Sequence, residues 1–140
     1  MKRLLIPAGV LVFLLITGFL TFEPVPYRVA FDMTSHDTVD HKIVLRWANE
    51  VLNADPNAKV EIVFYGKSLD MLVKDRSTVA DGIAKLMTKD NVALNVCAVA
   101  LKNNNIDKSQ LLPGIKTVPD GIYELVQRQH EGWGYIKVSH

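Results

Sequence analysis

The sequence predicts an α/β fold in which a mostly parallel sheet carries helices on both faces. Short apolar runs that are typical of strands alternate with segments of helical periodicity over residues 27–140. Turn-forming residues and helix caps separate these segments. Because strands joined through helices pair in parallel, the order of the elements indicates one α/β domain, and a chain of 140 residues is long enough to bury its core.

The N-terminal segment is predicted to lie outside this domain. Lys2 and Arg3 precede an uncharged apolar run, residues 4–22, which at about 1.5 Å per residue just reaches across a hydrocarbon core of roughly 30 Å. The end of the run, TGFLTF, lacks the small residues that precede a signal-peptidase cut. We therefore favour an uncleaved membrane anchor over a cleaved signal peptide for residues 1–22, followed by a spacer at residues 23–26.

Either form of this segment implies export. A positively charged N-terminus stays in the cytoplasm, so the domain is expected on the other side of the membrane. In a bacterium that location is the periplasm, with residues 4–22 anchored in the inner membrane.

The domain is predicted to begin with a strand, a helix and a second strand. The strands are residues 27–31 and 60–65. The helix between them is expected to be capped at Thr38, with Asp40 on its solvent face. Its buried stripe is predicted to contain Val39, Ile43, Val44, Trp47, Ala48, Val51 and Leu52.

A short helical segment and a longer helix follow the second strand. Residues 68–73 form the short segment. The longer helix is predicted to open at Thr78, where Asp81 would complete a capping box. Its predicted buried stripe contains Val79, Ile83, Leu86 and Met87.

The C-terminal part is predicted to contain three strands and one helix. The strands are residues 92–99, 115–118 and 135–138, with a loop and one helical turn after the first of them. The last helix is expected to start at Pro119 and Asp120. Ile122, Leu125 and Val126 should point inward and Gly132 should end the helix.

Several classes of function find no support in the sequence. The net charge of +1 and the scattered basic residues give no indication of nucleic-acid binding. The segment YGKSL resembles the end of a phosphate-binding P-loop, but position 61 is Glu where that pattern needs Gly. No dinucleotide fingerprint follows a strand, and the histidines are dispersed, so no metal and no cofactor is expected.

Cys97, the single cysteine, is the candidate reactive residue. It lies near the carboxyl end of a predicted strand, where α/β sheets carry their chemistry. Lys102 is a nearby positive residue that would favour the thiolate. His36, expected at the same edge of the sheet, could donate or accept a proton. The alternative is that Cys97 is small core filler and His36 a solvated turn residue.

The C-terminal half of the chain resembles the DsrE-like family. The resemblance covers about forty residues in ordered spacing. The matching positions are Cys97, Leu101–Lys102 with Ile106, Leu112–Pro113–Gly114–Ile115, Val118–Pro119, Gly121–Ile122, Glu124–Leu125, Gln129, Gly132–Trp133 and Tyr135–Ile136. Earlier in the chain, VAFDMTS and a strand that ends at Gly66 agree more loosely.

This resemblance implies a three-layer α/β/α fold with about five parallel strands, assembled as homotrimers or hexamers. It implies sulfur trafficking or oxidation, in which Cys97 would carry sulfur as a persulfide between a donor and an acceptor, either a protein or a small thiol. Two positions depart from the family: Tyr65–Gly66 stands where His-Gly is frequent, and residues 98–100 stand where Gly-Asn-Thr is frequent.

Two functions therefore remain open. The first is an exported sulfur carrier with Cys97 as the reactive residue and His36, Tyr65, Gly66 and Lys102 as supporting candidates. The second is a non-catalytic oligomerising or small-ligand-binding module at the membrane surface, in which Cys97 is structural. The position of Cys97 at a strand end favours the first, and the missing polar residues after Cys97 favour the second.

Overall fold

The computed structural model describes residues 26–139. The predicted anchor, residues 1–22, and most of the predicted spacer lie outside these residues. Within residues 26–139, no helix is both long enough and apolar enough to cross a membrane.

Strands and helices alternate through the domain, as the sequence predicts. The strands are β1 (Arg28–Met33), β2 (Lys59–Phe64), β3 (Val92–Cys97), β4 (Lys116–Val118) and β5 (Gly134–Val138). The α-helices are α1 (Thr38–Ala54), α2 (Ala80–Leu86), α3 (Ala98–Asn103) and α4 (Gly121–His130), and Ser68–Met71 and Lys108–Gln110 form 3₁₀ turns.

All five strands form one parallel sheet in the order β4-β3-β2-β1-β5. The chain steps from β1 to β4 in one direction and then crosses to β5 on the other side of β1. Because parallel crossovers are right-handed, this reversal puts α1, α2 and α3 on one face of the sheet and α4 on the other. The result is the predicted three-layer α/β/α fold.

The two faces of the sheet differ in chemistry. The α1–α3 face holds the main core, in which Phe31, Ile62 and Leu94 of adjacent strands are fully buried. The α4 face has a small apolar cluster around Val63 and Leu125. Around that cluster, strand residues on the α4 face are polar and buried, namely Asp32, Glu61 and Asn95.

The predicted stripe of α1 is wrong in its first turn. Asp37 caps the helix by accepting a hydrogen bond from the Val39 amide at 2.7 Å, one residue before the predicted cap. Val39 is exposed and Asp40 is buried. The buried positions run from Asp40 through Val44 at spacings of four, because packing on the sheet sets the rotation of the helix.

The predicted inward face of α4 is correct at Leu125 and wrong at Ile122 and Val126. Ile122 and Val126 are 61% and 56% exposed, whereas Gly121 and Leu125 face the sheet. Gly121, Leu125 and the half-buried Arg128 follow one another at spacings of four and three residues, so they lie on one face of the helix. The helix therefore packs through a glycine, a leucine and an arginine, and two apolar side chains point outward.

Two helix starts differ from prediction. Helix α2 begins at Ala80, and its N-cap residue, Val79, makes no side-chain capping hydrogen bond, so the capping box at Thr78 is wrong. Strand β3 ends at Cys97 rather than continuing to residue 99, because residues 98–103 form α3. The segment AVALKN is rich in residues with good helix propensity, which explains the switch.

Candidate functional site

Cys97 lies at a junction between a strand and a helix. It is the last residue of β3, and its extended backbone (φ −66°, ψ 120°) forms the N-cap of α3. The carboxyl ends of β1, β2 and β4 meet at the same edge of the sheet. The thiol therefore lies at the predicted edge of the sheet, although Cys97 is only 6% exposed.

The first residue of α4 packs on Cys97. A Cβ built on Gly121 would lie 3.1 Å from the Cβ of Cys97, 3.3 Å from Val63 Cγ1 and 3.4 Å from Tyr65 Cδ1. Cβ contacts this short are rare, so α4 can approach β3 this closely only because Gly121 has no side chain. The same distances show that Tyr65 and Cys97 are neighbours on the α4 face of the sheet.

An open cleft of about 230 Å³ adjoins Cys97. We call it the Cys97 cleft. Its lining is contributed by the end of β2, by α3 and by the start of α4. The lining residues are Tyr65, Gly66, Cys97, Val99, Ala100, Asn103, Asn104, Asp120 and Ile122.

Asp120 is the charged residue of this lining. Its Oδ1 accepts hydrogen bonds from the amides of Ile122 (2.8 Å) and Tyr123 (3.1 Å), as the N-cap of α4. None of the nine described residues that line the cleft is Lys, Arg or His. A thiolate at Cys97 would therefore gain no stabilisation from a cation in its own cleft.

A buried carboxylate lies on the same face of the sheet. Asp32 Oδ2 accepts a hydrogen bond from the Tyr135 hydroxyl at 2.5 Å and lies 3.3 Å from Lys137 Nζ. Asp32 Oδ1 is buried and has no hydrogen-bond partner among residues 26–139. The carboxylate is thus held from the β5 side, and its second oxygen is left unpaired inside the protein.

Two tyrosines beside Asp32 are held in the neutral form. Burial, followed by the Asp32 charge, raises the pKa of Tyr65 well above its usual value. The hydrogen bond to Asp32 is the main cause that raises the pKa of Tyr135 to about 12. Both hydroxyls carry their protons at physiological pH, as an ordinary tyrosine does, and a hydrogen bond with Asp32 is a further cause of the raised pKa of Tyr65.

The supporting candidates from the sequence separate into three groups. Tyr65 and Gly66 line the Cys97 cleft. His36 is exposed and lines an adjacent cleft, which shares Gly66 and Asn104 with the first. Lys102 lines a third cleft, together with Leu101 of α3 and Ile106 of the following loop. The structure brings Tyr65 and Gly66 to the thiol and leaves Lys102 outside its cleft.

A second polar cluster anchors α4 to the sheet. Glu61 of β2 is 1% exposed and accepts hydrogen bonds from Arg128 Nε and, at 2.7 Å, from Asn95 Nδ2. Arg128 also pairs with Glu124 at 2.7 Å and Glu131 at 3.0 Å. Burial raises the pKa of Glu61, while Asn95 and Arg128 act in the opposite direction.

Sequence reasoning missed several residues of the site. Asp32 carried a usable signal, because a carboxylate between Phe31 and Met33 in a strand of a parallel sheet has no route to solvent. Asn103 and Asn104 gave no signal beyond loop composition. Asp120 was identified only as a helix start, and its position beside Cys97 depends on the crossover from β4 to β5.

Described residues offer no metal site. Within residues 26–139, no group of three or more His, Cys, Asp or Glu side chains has the geometry to hold a metal ion.

Solved structures with the same fold come from bacteria and an archaeon. The protein of unknown function MTH1491 from Methanobacterium thermoautotrophicum is 26% identical, with a TM-score of 0.75, over 79% of this chain and 98% of its own. The YchN protein from E. coli is 13% identical, with a TM-score of 0.67, over 81% and 99%. The protein of unknown function BT1422 from Bacteroides thetaiotaomicron is 15% identical, with a TM-score of 0.64, over 79% and 94%.

Sequence comparison gives the family. No protein with a curated function matches this chain. The model of the DsrE/DsrF-like family matches residues 28–138, which spans the whole domain from the start of β1 to the end of β5. The chain is therefore a member of the DsrE/DsrF-like family.

Proposed function

We propose that this protein is an exported sulfur carrier that holds sulfane sulfur as a persulfide on Cys97. The observation that supports it most is the position of Cys97 at the carboxyl end of β3, lining an open cleft beside a neutral tyrosine hydroxyl. Membership of the DsrE/DsrF-like family is compatible with a sulfur-relay role.

The loading step is a thiol exchange at sulfur. The Cys97 thiol releases its proton to solvent, and its sulfur attacks the sulfane sulfur of the donor. With thiosulfate, the new bond joins Sγ to the sulfane sulfur, the original S–S bond breaks, and sulfite leaves with the electron pair. The protein is left as a persulfide anion, and no external oxidant or reductant is required.

In the unloading step, the outer sulfur passes from Cys97 to an acceptor. An acceptor thiolate attacks the outer sulfur of the persulfide and the electron pair returns to Cys97 Sγ. The acceptor, a small thiol or a protein thiol, then carries the persulfide. One cysteine is sufficient for this cycle, because the transferred sulfur arrives with the donor.

Tyr65 is proposed as a hydrogen-bond donor in this cycle. Its hydroxyl is protonated at physiological pH, since the ordinary tyrosine pKa is near 10 and burial and the Asp32 charge raise it further. A neutral donor in a cleft without a cation can hydrogen-bond a sulfur anion, and bonds to charged acceptors are the stronger ones. Tyr65 would take the place of the cationic neighbour that the sequence suggested in Lys102.

We also propose that the protein assembles and that it is membrane-anchored. Ile122, Tyr123 and Val126 of α4 are exposed large hydrophobic side chains, which favours self-association through α4, and the family resemblance implies a trimer or hexamer. Residues 4–22 are proposed to hold the domain at the periplasmic side of the inner membrane. Protein in the soluble fraction with a mature N-terminus near residues 22–27 would contradict the anchor.

A second candidate function is a non-catalytic oligomerising or small-ligand-binding module. The exposed apolar residues of α4 and the low exposure of Cys97 favour it. In this case Cys97 would be a structural residue at the turn from β3 to α3.

One experiment separates the two candidates. Folded protein is incubated with a polysulfide or thiosulfate, and its intact mass is measured before and after a reducing thiol is added. A carrier gains the mass of one sulfur atom per chain and loses it on reduction, and Cys97→Ser gains none. Unmodified native protein under these conditions would favour the second candidate.

A further inference from the structure

We infer that the sulfur donor of this protein carries an anionic group, which binds in a cationic cleft beside the Cys97 cleft. The cationic cleft has a volume of about 270 Å³. Its lining residues are His36, Gly66, Lys67, Leu69, Asp70, Arg76, Asn104 and Ile106. The inference rests on the proposed function, since it names the class of donor that this function uses.

The two clefts lie next to each other. Gly66 and Asn104 line both of them. Gly66 has a left-handed backbone (φ +63°), which disfavours any side chain at this position. No side chain of residue 66 therefore stands between the two clefts. A donor molecule of a few atoms can therefore extend from Cys97 past Gly66 into the cationic cleft.

The charges of the two clefts are opposite. Lys67 and Arg76 give the cationic cleft two positive charges. Its one carboxylate, Asp70, is paired with Arg76 at 3.0 Å, so a net positive charge remains. In the Cys97 cleft the charged residue is Asp120, which is negative.

This difference orients a donor. An anionic group is repelled by Asp120 and attracted by Lys67, so it lies in the cationic cleft while the sulfane sulfur faces Cys97. The leaving group gains negative charge when the S–S bond breaks, whether it departs as sulfite or as a thiolate. Positive charge near the leaving group therefore stabilises the transition state of loading more than the bound donor.

Alkylation of Cys97 tests the subsite without relying on sulfur chemistry. Iodoacetate and iodoacetamide have similar size and differ in charge, and the ratio of their rates with Cys97 is measured in native full-length protein. Lys67→Gln and Arg76→Gln should each lower the relative rate of iodoacetate about two- to threefold at low salt. Lys89→Gln is the matched control, because Lys89 is an exposed lysine before β3, at the other end of the strand. High salt should remove the difference.

The reactions of Cys97 with thiosulfate and with an uncharged organic trisulfide form the second arm. Attack on the central sulfur of the trisulfide breaks one S–S bond, releases a thiolate and leaves Cys97 as a mixed trisulfide, whose mass differs from that of the persulfide. Lys67→Gln should slow loading from thiosulfate more than the reaction with the trisulfide, because thiosulfate is already anionic when it binds whereas the trisulfide gains negative charge only as its thiolate leaves. Equal iodoacetate ratios in all variants would overturn the inference, even if Cys97 takes up sulfur. A lowered ratio in the two variants without any sulfur uptake would support the anion subsite and overturn the proposed function. Complete protection of Cys97 from both reagents would overturn both.

Discussion

The backbone of Gly121 packs against the side chain of Cys97: a Cβ on Gly121 would lie 3.1 Å from the Cβ of Cys97. This contact links the one helix of the α4 face to the strand that carries the thiol. The start of α4 also supplies Asp120 and Ile122 to the Cys97 cleft. The position of α4 therefore determines both the shape of the cleft and how far Cys97 is covered.

Replacing Gly121 with Ala should destabilise the fold and change the reactivity of Cys97. The added methyl group would press on Cys97, Val63 and Tyr65, and overpacking of this kind costs roughly 1–3 kcal/mol. The higher helix propensity of Ala offsets at most about 1 kcal/mol. Urea unfolding and the alkylation rate of Cys97 measure the two effects.

The control for this substitution is Gly134→Ala. A Cβ at Gly134 would lie 3.5 Å from the Arg28 carbonyl oxygen, which is an ordinary contact. We expect a smaller change in unfolding free energy and an unchanged alkylation rate. Equal behaviour of the two variants would contradict the tight packing at Cys97.

Removal of Arg128 should destabilise the protein by about 3 kcal/mol, because Glu61 would be left as a buried carboxylate with Asn95 as its remaining partner. The matched control is Arg46→Ala, which removes an exposed partner of Glu50 and should cost less than about 0.5 kcal/mol. Urea unfolding at neutral pH gives both values. Similar losses in the two variants would show that the Glu61–Arg128 pair has no special role.

The decrease in unfolding free energy caused by Arg128→Ala should also depend on pH. Burial raises the pKa of Glu61, so in the native state this carboxyl binds its proton at a higher pH than in the unfolded chain. The contribution of Glu61 to stability is therefore most favourable below the ordinary carboxyl pKa. It is lost as the pH rises through the raised pKa of Glu61 in the folded protein. The defect of Arg128→Ala should be smaller at mildly acidic than at neutral pH, and Glu61→Gln in the same protein should remove this dependence.

Tyr135 should make the native state sensitive to alkaline pH. Its pKa is raised to about 12 by the hydrogen bond to Asp32, against an ordinary value near 10. Stability from the neutral hydroxyl is thus present below about pH 10 and is lost as pH rises through the folded value of about 12. Tyr135→Phe should weaken this loss, as urea unfolding at stepwise higher pH would record.

The spectrum gives an independent check on Tyr135. Tyrosinate absorbance should show one group that ionises near pH 12 in the wild-type protein and is missing in Tyr135→Phe. Titration of that group close to the ordinary tyrosine value would contradict the hydrogen bond to Asp32.

The exposed residues of α4 should control assembly. Light scattering at micromolar concentration should give a mass above that of a monomer, and Ile122→Glu with Val126→Glu should reduce it, because charges replace apolar side chains at the proposed interface. Asn53→Glu adds a charge at an exposed position of α1, on the other face of the sheet, and should leave the mass unchanged. A strictly monomeric wild-type protein would contradict the proposed oligomer.

Periodicity predicted the elements well because each strand and helix carries a local pattern. The five strands, the parallel sheet and its two covered faces all follow from apolar runs and their spacing. Helix rotation was predicted less well. Asp40 is buried and Ile122 is exposed, since the rotation of α1 and α4 is determined by what lies opposite them on the sheet. That information is not local.

The site was predictable in its position more than in its composition. A cysteine at the end of a parallel strand indicated Cys97, and the loop after β2 brings Tyr65 and Gly66, two supporting candidates from the sequence, into the same cleft. Lys102 lies in another cleft because the segment after Cys97 turns into helix α3 rather than continuing as a strand. Asp120 comes to Cys97 through the crossover to β5, which no local pattern specifies.

Transfer of labelled sulfur tests the central claim most directly. Native protein would be loaded from a donor whose sulfane sulfur is radiolabelled, freed of donor by gel filtration, and mixed with a small acceptor thiol. The account predicts that about one labelled sulfur per chain binds at Cys97 and passes to the acceptor as its persulfide, and that Cys97→Ser neither binds nor transfers label. Native protein that takes up no label, with Cys97 open to alkylation only after unfolding, would contradict the account and identify the thiol as part of the core.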